Sequence, residues 1–276
     1  MAYKFGWFST GRDEAACELL TAVHESIREG FIQGEIGFVF CSRERGEKPE
    51  SDAFMDLVED YGCELVCFSS KKFKPGLWDA GRTDAEKLKQ WRREYDTEVV
   101  ERLSGLRHDL DVLAGYMLIV SNVLCERFDM INLHPATPTG PKGAWQEVIW
   151  ELISTGARET GVMMHLVTTE LDRGPPITYC RFPIRGGAFE DPWSGLSKKL
   201  ETKTLKEIEQ AEGEDEPYFK LVRQEGVKRE LPLIIQTLKS FADGTLHIKS
   251  GSVFEGDSKI EGGYDLSNQI ASILKN

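Results

Sequence analysis

From Lys4 to Gly115 the apolar residues fall into two alternating patterns. Near-continuous apolar runs at Lys4–Phe8, Ile36–Cys41, Glu64–Phe68 and Leu110–Gly115 have the length and bulk of buried strands. Between them, Asp13–Ile27 sets Ala16, Leu19, Leu20 and Val23 on one helical face. Asp52–Tyr61 reads as a second helix, and Thr83–Leu103 as a long charged one. Strands separated by helices imply an α/β, Rossmann-like fold: a mostly parallel twisted sheet with helices on both faces. In such sheets a ligand sits beyond the carboxyl ends of the strands, where the connection order reverses.

The second half continues with a short helix at Asn122–Arg127, a strand at Met130–His134 and the proline-rich stretch PATPTGPKG. A helix over Ala144–Ser154 is stopped by Gly156. Val162–Val167 and Ile177–Phe182 read as strands joined by the tight loop Thr169–Pro176. Residues 186–230 carry many charges and the acidic run EGEDE, and are expected to be a peripheral helical insertion within a single domain spanning 1–276. Leu231–Phe241 is expected to be a closing helix, and Thr245–Val253, turning at Ser250-Gly251, a hairpin.

Composition narrows the classes. Of 276 residues 40% are hydrophobic, enough for a sizeable core, and the longest apolar stretch, Val112–Val120, is too short to span a bilayer. With no signal-peptide pattern at MAYKFGWF, the expected location is the cytoplasm. A net charge of −12 opposes binding to nucleic-acid phosphates, though not to a small anion. The cysteines Cys17, Cys41, Cys63, Cys67, Cys125 and Cys180 lie in apolar segments without metal-ligand spacing and read as free thiols.

The chemistry concentrates between Leu113 and Ile177. Asn132 and His134 flank Leu133, so they share one face at a strand end closed by Pro135. Asp172 sits in a turn followed by Gly174 and two prolines, where a carboxylate can also serve as a simple turn cap. An amide, an imidazole and a carboxylate suit acyl transfer from nitrogen to nitrogen. Asn132 donates to a developing oxyanion, protonated His134 stabilises that charge or supplies a proton, and Asp172 manages the proton leaving the amine. His24, His108, His165 and His247 are assigned to surface or packing roles.

The N-x-H-P element, the glycine and helix after it, the TG-x-x-x-H strand and the LD-x-GP turn together resemble the folate-dependent formyltransferases, most closely the phosphoribosylglycinamide group. The resemblance runs from Asp111 to Ile184 and resumes over Leu231–Ile248. It implies that Asn132, His134 and Asp172 are catalytic and that LAGYMLIV forms the folate cleft, with Met117, Leu118 and Val120 at the pterin and Thr169 and Glu170 in a covering loop. The implied co-substrate is 10-formyltetrahydrofolate, the implied acceptor glycinamide ribonucleotide, and no metal is required. Partners are then small molecules rather than nucleic acid or membrane, with oligomeric state open and a homodimer compatible.

Two departures bear on the acceptor. The family's glycine-rich phosphate loop is replaced by Ser9-Thr10-Gly11-Arg12-Asp13-Glu14, where Gly11, Arg12 and Asp13 are the substrate-side candidates. The acidic residue before the closing helix has no clear counterpart; Gln224 and Glu225 are candidates and Val227 stands at the expected place. Transfer to an amino sugar or other nucleotide, hydrolysis of formyltetrahydrofolate, and a non-catalytic binding protein are the other readings. Hydrolysis is disfavoured by Pro135, where deformylases of this fold carry a second histidine.

Overall fold

The computed structural model describes residues 2–275. In chain order the elements are β1 (Tyr3–Ser9), α1 (Glu14–Arg28), β2 (Gly34–Cys41), α2 (Pro49–Asp60), β3 (Leu65–Cys67), α3 (Pro75–Gly81), α4 (Ala85–Arg102), β4 (Leu110–Leu113), α5 (Asn122–Cys125) and β5 (Met130–His134). They continue with α6 (Trp145–Ser154), β6 (Glu159–Leu166), β7 (Pro176–Pro183), α7 (Glu190–Leu200), α8 (Leu205–Glu212), α9 (Pro217–Ala242), β8 (Leu246–Lys249), β9 (Ser252–Glu255), β10 (Ser258–Lys259), β11 (Tyr264–Asp265) and α10 (Ser267–Ile273). The pairs β1–β2, β1–β4, β2–β3, β4–β5 and β7–β11 are parallel and β6–β7 is antiparallel, so pairing is mostly parallel, as the alternating pattern predicts.

The chain divides into two compact units. The first comprises residues 1–132, 166–174 and 238–259. Its strands are ordered β3-β2-β1-β4-β5, all parallel, and the order reverses between β1 and β4. Its core is aromatic: Phe8, Phe38, Phe40, Trp91 and Tyr95 are buried together with Val99, Leu113 and Tyr116. The charged helix α4 starts at Asp84, whose carboxylate accepts from Glu86 and Lys87 N–H, the usual N-cap solution for unpaired first-turn donors. It buries only a narrow stripe, Trp91, Tyr95, Asp96 and Val99. The β8–β9 hairpin turns at Ser250 and Gly251, both at positive φ (50° and 69°), as the sequence predicts.

The second unit comprises residues 133–165, 175–237 and 260–276. Its β6 and β7 run antiparallel, and β11 joins β7 in parallel. Leu196, Ile208, Tyr218, Phe219 and Val222, from the charged 186–230 stretch, pack with Val148, Trp150, Ile153 and Phe182 in one buried cluster. The helix expected to begin at Leu231 begins at Pro217 and passes through Pro232. Proline inside a helix costs about 3 kcal/mol. The buried apolar residues Tyr218, Phe219 and Val222 before it and Leu233, Ile234 and Leu238 after it offset that cost. Helix α3 was not legible because Lys74-Pro75-Gly76 reads as a turn; Trp78 on it packs edge-on against Trp91, with centroids 4.7 Å apart.

Candidate active site

The carboxyl edge of the first unit's parallel strands is where β1 and β4 part company, and the segments leaving those two strands are tied together. The Thr10 N–H donates to Gly115 O at 3.1 Å, and the Met117 N–H donates to Thr10 Oγ1 at 2.9 Å. Thr10 Oγ1 also lies 2.9 Å from Ser42 Oγ, at the end of β2. Gly11 takes φ +56°, and a Cβ there would stand 3.0 Å from the Phe54 side chain. The left-handed turn therefore keeps the loop close to α2.

Residues 117–120 alternate in exposure. Met117 and Ile119 are open to solvent, Leu118 leans on the aromatic core, and Val120 is buried. Among the described residues, the backbone N–H and C=O groups of Leu118 and Val120 have no hydrogen-bond partner. The far end of this segment is anchored by Asp96, whose Oδ2 accepts from the Ser121 N–H at 2.5 Å. Burial pushes the Asp96 carboxyl up to about 6 despite that donor.

Asn132 and His134 end β5, two residues apart and therefore on one face. Asn132 is half-buried and His134 is 2% exposed. The His134 Nε2 lies 2.9 Å from Pro141 O. A carbonyl only accepts, so Nε2 carries the proton and Nδ1 is the nitrogen left to gain or lose one. His165, assigned from sequence to packing, is also buried, its ring perpendicular to that of His134 with centroids 6.2 Å apart.

The loop 166–174 is tied to β5 at its start and carries bonds within itself. Its first residue beyond β6, Val167, donates its N–H to Met130 O at 2.7 Å, and the Arg173 N–H donates to Glu170 O at 3.2 Å. Thr168 Oγ1 donates to Glu170 O at 3.2 Å. Gly174 passes so close to Leu166 O that any Cβ would collide with it. Asp172 adopts φ +53°, a left-handed conformation that Asp tolerates better than most residues, and is 8% exposed. Thr169 and Glu170 are exposed.

Of the acceptor-side candidates, Arg12 is exposed and spent on Asp13, its Nε 3.0 Å from Asp13 Oδ2. Its Nη1 lies 3.3 Å from Met117 Sδ. Gln224 is an exposed residue of α9, and Glu225 is held by Lys228 and Arg229 at 2.6 and 2.9 Å. Sequence reasoning overlooked Thr10, Ser42 and Asp96. Small hydroxyls after a strand and one carboxylate in a charged helix carry no pattern that separates them from solvated positions. Among the described residues no group of three or more His, Cys, Asp or Glu could hold a metal ion, and no helix is long and apolar enough to cross a membrane.

Comparison with known proteins gives this geometry a context. The family described as formyl transferase matches residues 17–207. The phosphoribosylglycinamide formyltransferase of Escherichia coli is 32% identical over 102 residues, 36% of this chain and 47% of that protein. The protein of the same name from Schizosaccharomyces pombe is 37% identical over 100 residues, 34% of this chain and 48% of its own. The chain thus spans about half the length of the curated relatives it matches. Among solved structures, a phosphoribosylglycinamide formyltransferase from Coxiella burnetii in complex with CHES superposes with a TM-score of 0.66 at 17% identity, covering 96% of this chain and 99% of that one. A formyltetrahydrofolate deformylase from Pseudomonas syringae superposes at 0.57 and 15% identity, covering 92% and 66%. At such identities these structures share the fold.

Proposed function

The chain belongs to the formyl transferase family, and on that premise we propose that it transfers the formyl group of 10-formyltetrahydrofolate to a primary amine, that of glycinamide ribonucleotide. The observation that carries this reading is the end of β5, where Asn132 and His134 share one face and Pro141 O holds the His134 ring by Nε2. The folate supplies the formyl group. The unpartnered backbone groups of Leu118 and Val120 fit recognition of a pterin edge, and exposed Met117 supplies apolar surface beside them. Thr169 and Glu170 are proposed to cover the donor.

In the reaction the acceptor amine attacks the formyl carbon, the carbon–nitrogen bond to the folate breaks, and the amine loses one proton. The Asn132 side-chain NH2 donates to the oxygen that gains charge. His134, protonated at Nδ1, stabilises the same charge and returns a proton to the departing folate nitrogen. Asp172 takes the proton that leaves the amine. Gly11, Arg12, Asp13 and Gln224 are retained as acceptor-side candidates, although Arg12 and Asp13 already neutralise each other.

The test is to incubate the protein with 10-formyltetrahydrofolate, with and without glycinamide ribonucleotide, and to follow the deformylated folate. Turnover is expected only with the amine. Turnover without any amine would identify a hydrolase, and folate binding without turnover would reject this acceptor.

A further inference from the structure

Arg43 follows β2 by two positions, at the same carboxyl edge as Thr10 and Met117. Its Nη1–H donates to Ser51 Oγ at 2.8 Å. Ser51 is fully buried in the first turn of α2, and its hydroxyl donates to Gly11 O at 2.9 Å with Thr10 O at 3.3 Å. One edge of the guanidinium is therefore fixed against the loop that leaves β1. The other edge is open: among the described residues Nε and Nη2 of Arg43 have no hydrogen-bond partner, and no carboxylate pairs with them. Three acids close to it in sequence are engaged elsewhere. Glu44 pairs with Lys72 at 2.8 Å and accepts the Ser69 N–H, Glu47 accepts the Glu44 N–H, and Asp52 accepts the Gly46 N–H. Arg12, the cation visible in the sequence, is exposed and already paired with Asp13.

A planar guanidinium anchored by one nitrogen, partly buried, with a free pair of donors at a ligand-bearing sheet edge, is preorganised for a bidentate anion. We propose that Arg43, rather than Arg12, binds the anionic group of the formyl acceptor, a phosphate ester or a carboxylate. The proposal rests on the transferase reading for its link to catalysis, but the anion site can be measured without it.

The experiment compares the wild-type protein with Arg43→Gln and Arg43→Lys. It measures the Michaelis constants for glycinamide ribonucleotide and 10-formyltetrahydrofolate, and the shift in melting temperature produced by inorganic phosphate or by acetate. In Arg43→Gln the acceptor KM should rise at least about 10-fold, the folate KM should hold, and stabilisation by the anion should vanish. Arg43→Lys keeps the charge without the second donor edge and should recover part of the effect. If Arg43→Gln fails to fold, the lysine variant carries the comparison. Stabilisation by phosphate and not acetate assigns a phosphate ester, and the reverse a carboxylate. Lost stabilisation in Arg43→Gln with no wild-type turnover of glycinamide ribonucleotide keeps the anion site and rejects that acceptor. A wild-type protein stabilised by neither ion overturns the proposal, as do variants with wild-type acceptor KM and anion response.

Discussion

The Met117 amide donates to Thr10 Oγ1 over 2.9 Å, across 107 positions of sequence. Thr10 thereby couples the loop after β1, proposed to face the acceptor, to the segment proposed to hold the donor. Removing one partner of such a bond costs about 1–3 kcal/mol. Thr10→Val should raise the KM for 10-formyltetrahydrofolate by about 5-fold or more, and Thr10→Ser should restore it. Steady-state kinetics decide the matter: an unchanged folate KM in the valine variant would show that the bond does not position the donor segment.

The proposed chemical roles separate by magnitude. His134→Ala and Asp172→Asn should each lower kcat by at least about 100-fold, the low end for a positioned acid or base. Asn132→Ala should cost about 10²–10³ in kcat, as for an oxyanion donor. Folate binding, followed by fluorescence titration, should survive in all three. Near-normal turnover in any one of them would remove that residue from the mechanism.

Asp96 makes stability depend on pH in a direction opposite to most carboxylates. Burial raises its folded pKa to about 6 from 3.8, so the folded state holds a proton that the unfolded chain releases. Its ionisation therefore weakens the fold as pH rises through roughly 4 to 6. The upper limit is about 3 kcal/mol, from about 1.4 kcal/mol per pKa unit. Asp96→Asn keeps an oxygen for the Ser121 N–H and cannot ionise. Urea unfolding at about pH 3.5 and about pH 7, on either side of that window, should show a smaller difference between the two conditions in the variant than in the wild type. Equal differences would assign the pH dependence to other groups.

Gly6 sits in β1 opposite Asp111 of β4, and a Cβ there would collide with Asp111 Oδ1 and come within 2.6 Å of the Phe38 ring. Asp111 is fully buried, and its Oδ1 lies 2.8 Å from His108 Nδ1. Gly6→Ala must displace that pair or the ring, so it should destabilise by about 1–3 kcal/mol. Thermal or denaturant unfolding measures this directly, and wild-type stability would show that the strand spacing adjusts without cost.

The sequence determined those features whose causes are local. Strand β5 runs from Met130 to His134 as the apolar pattern predicts, because Pro135 stops it and side chains alternate along it. The positive φ values at Ser250 and Gly251 follow from the residue types a tight hairpin demands. The N-x-H-P and LD-x-GP wording was enough to nominate Asn132, His134 and Asp172. Tertiary structure decided the rest. Helix α9 begins at Pro217, well before its expected start at Leu231, because residues from distant segments bury Tyr218, Phe219 and Val222, an energy that no window along the chain contains. Of Arg12 and Arg43, Arg12 meets Asp13 beside it, while among the described residues the Arg43 guanidinium hydrogen-bonds to Ser51 and to no carboxylate. Which cation keeps donors to spare depends on partners brought close by folding, and charge alone, all that a sequence displays, does not distinguish them.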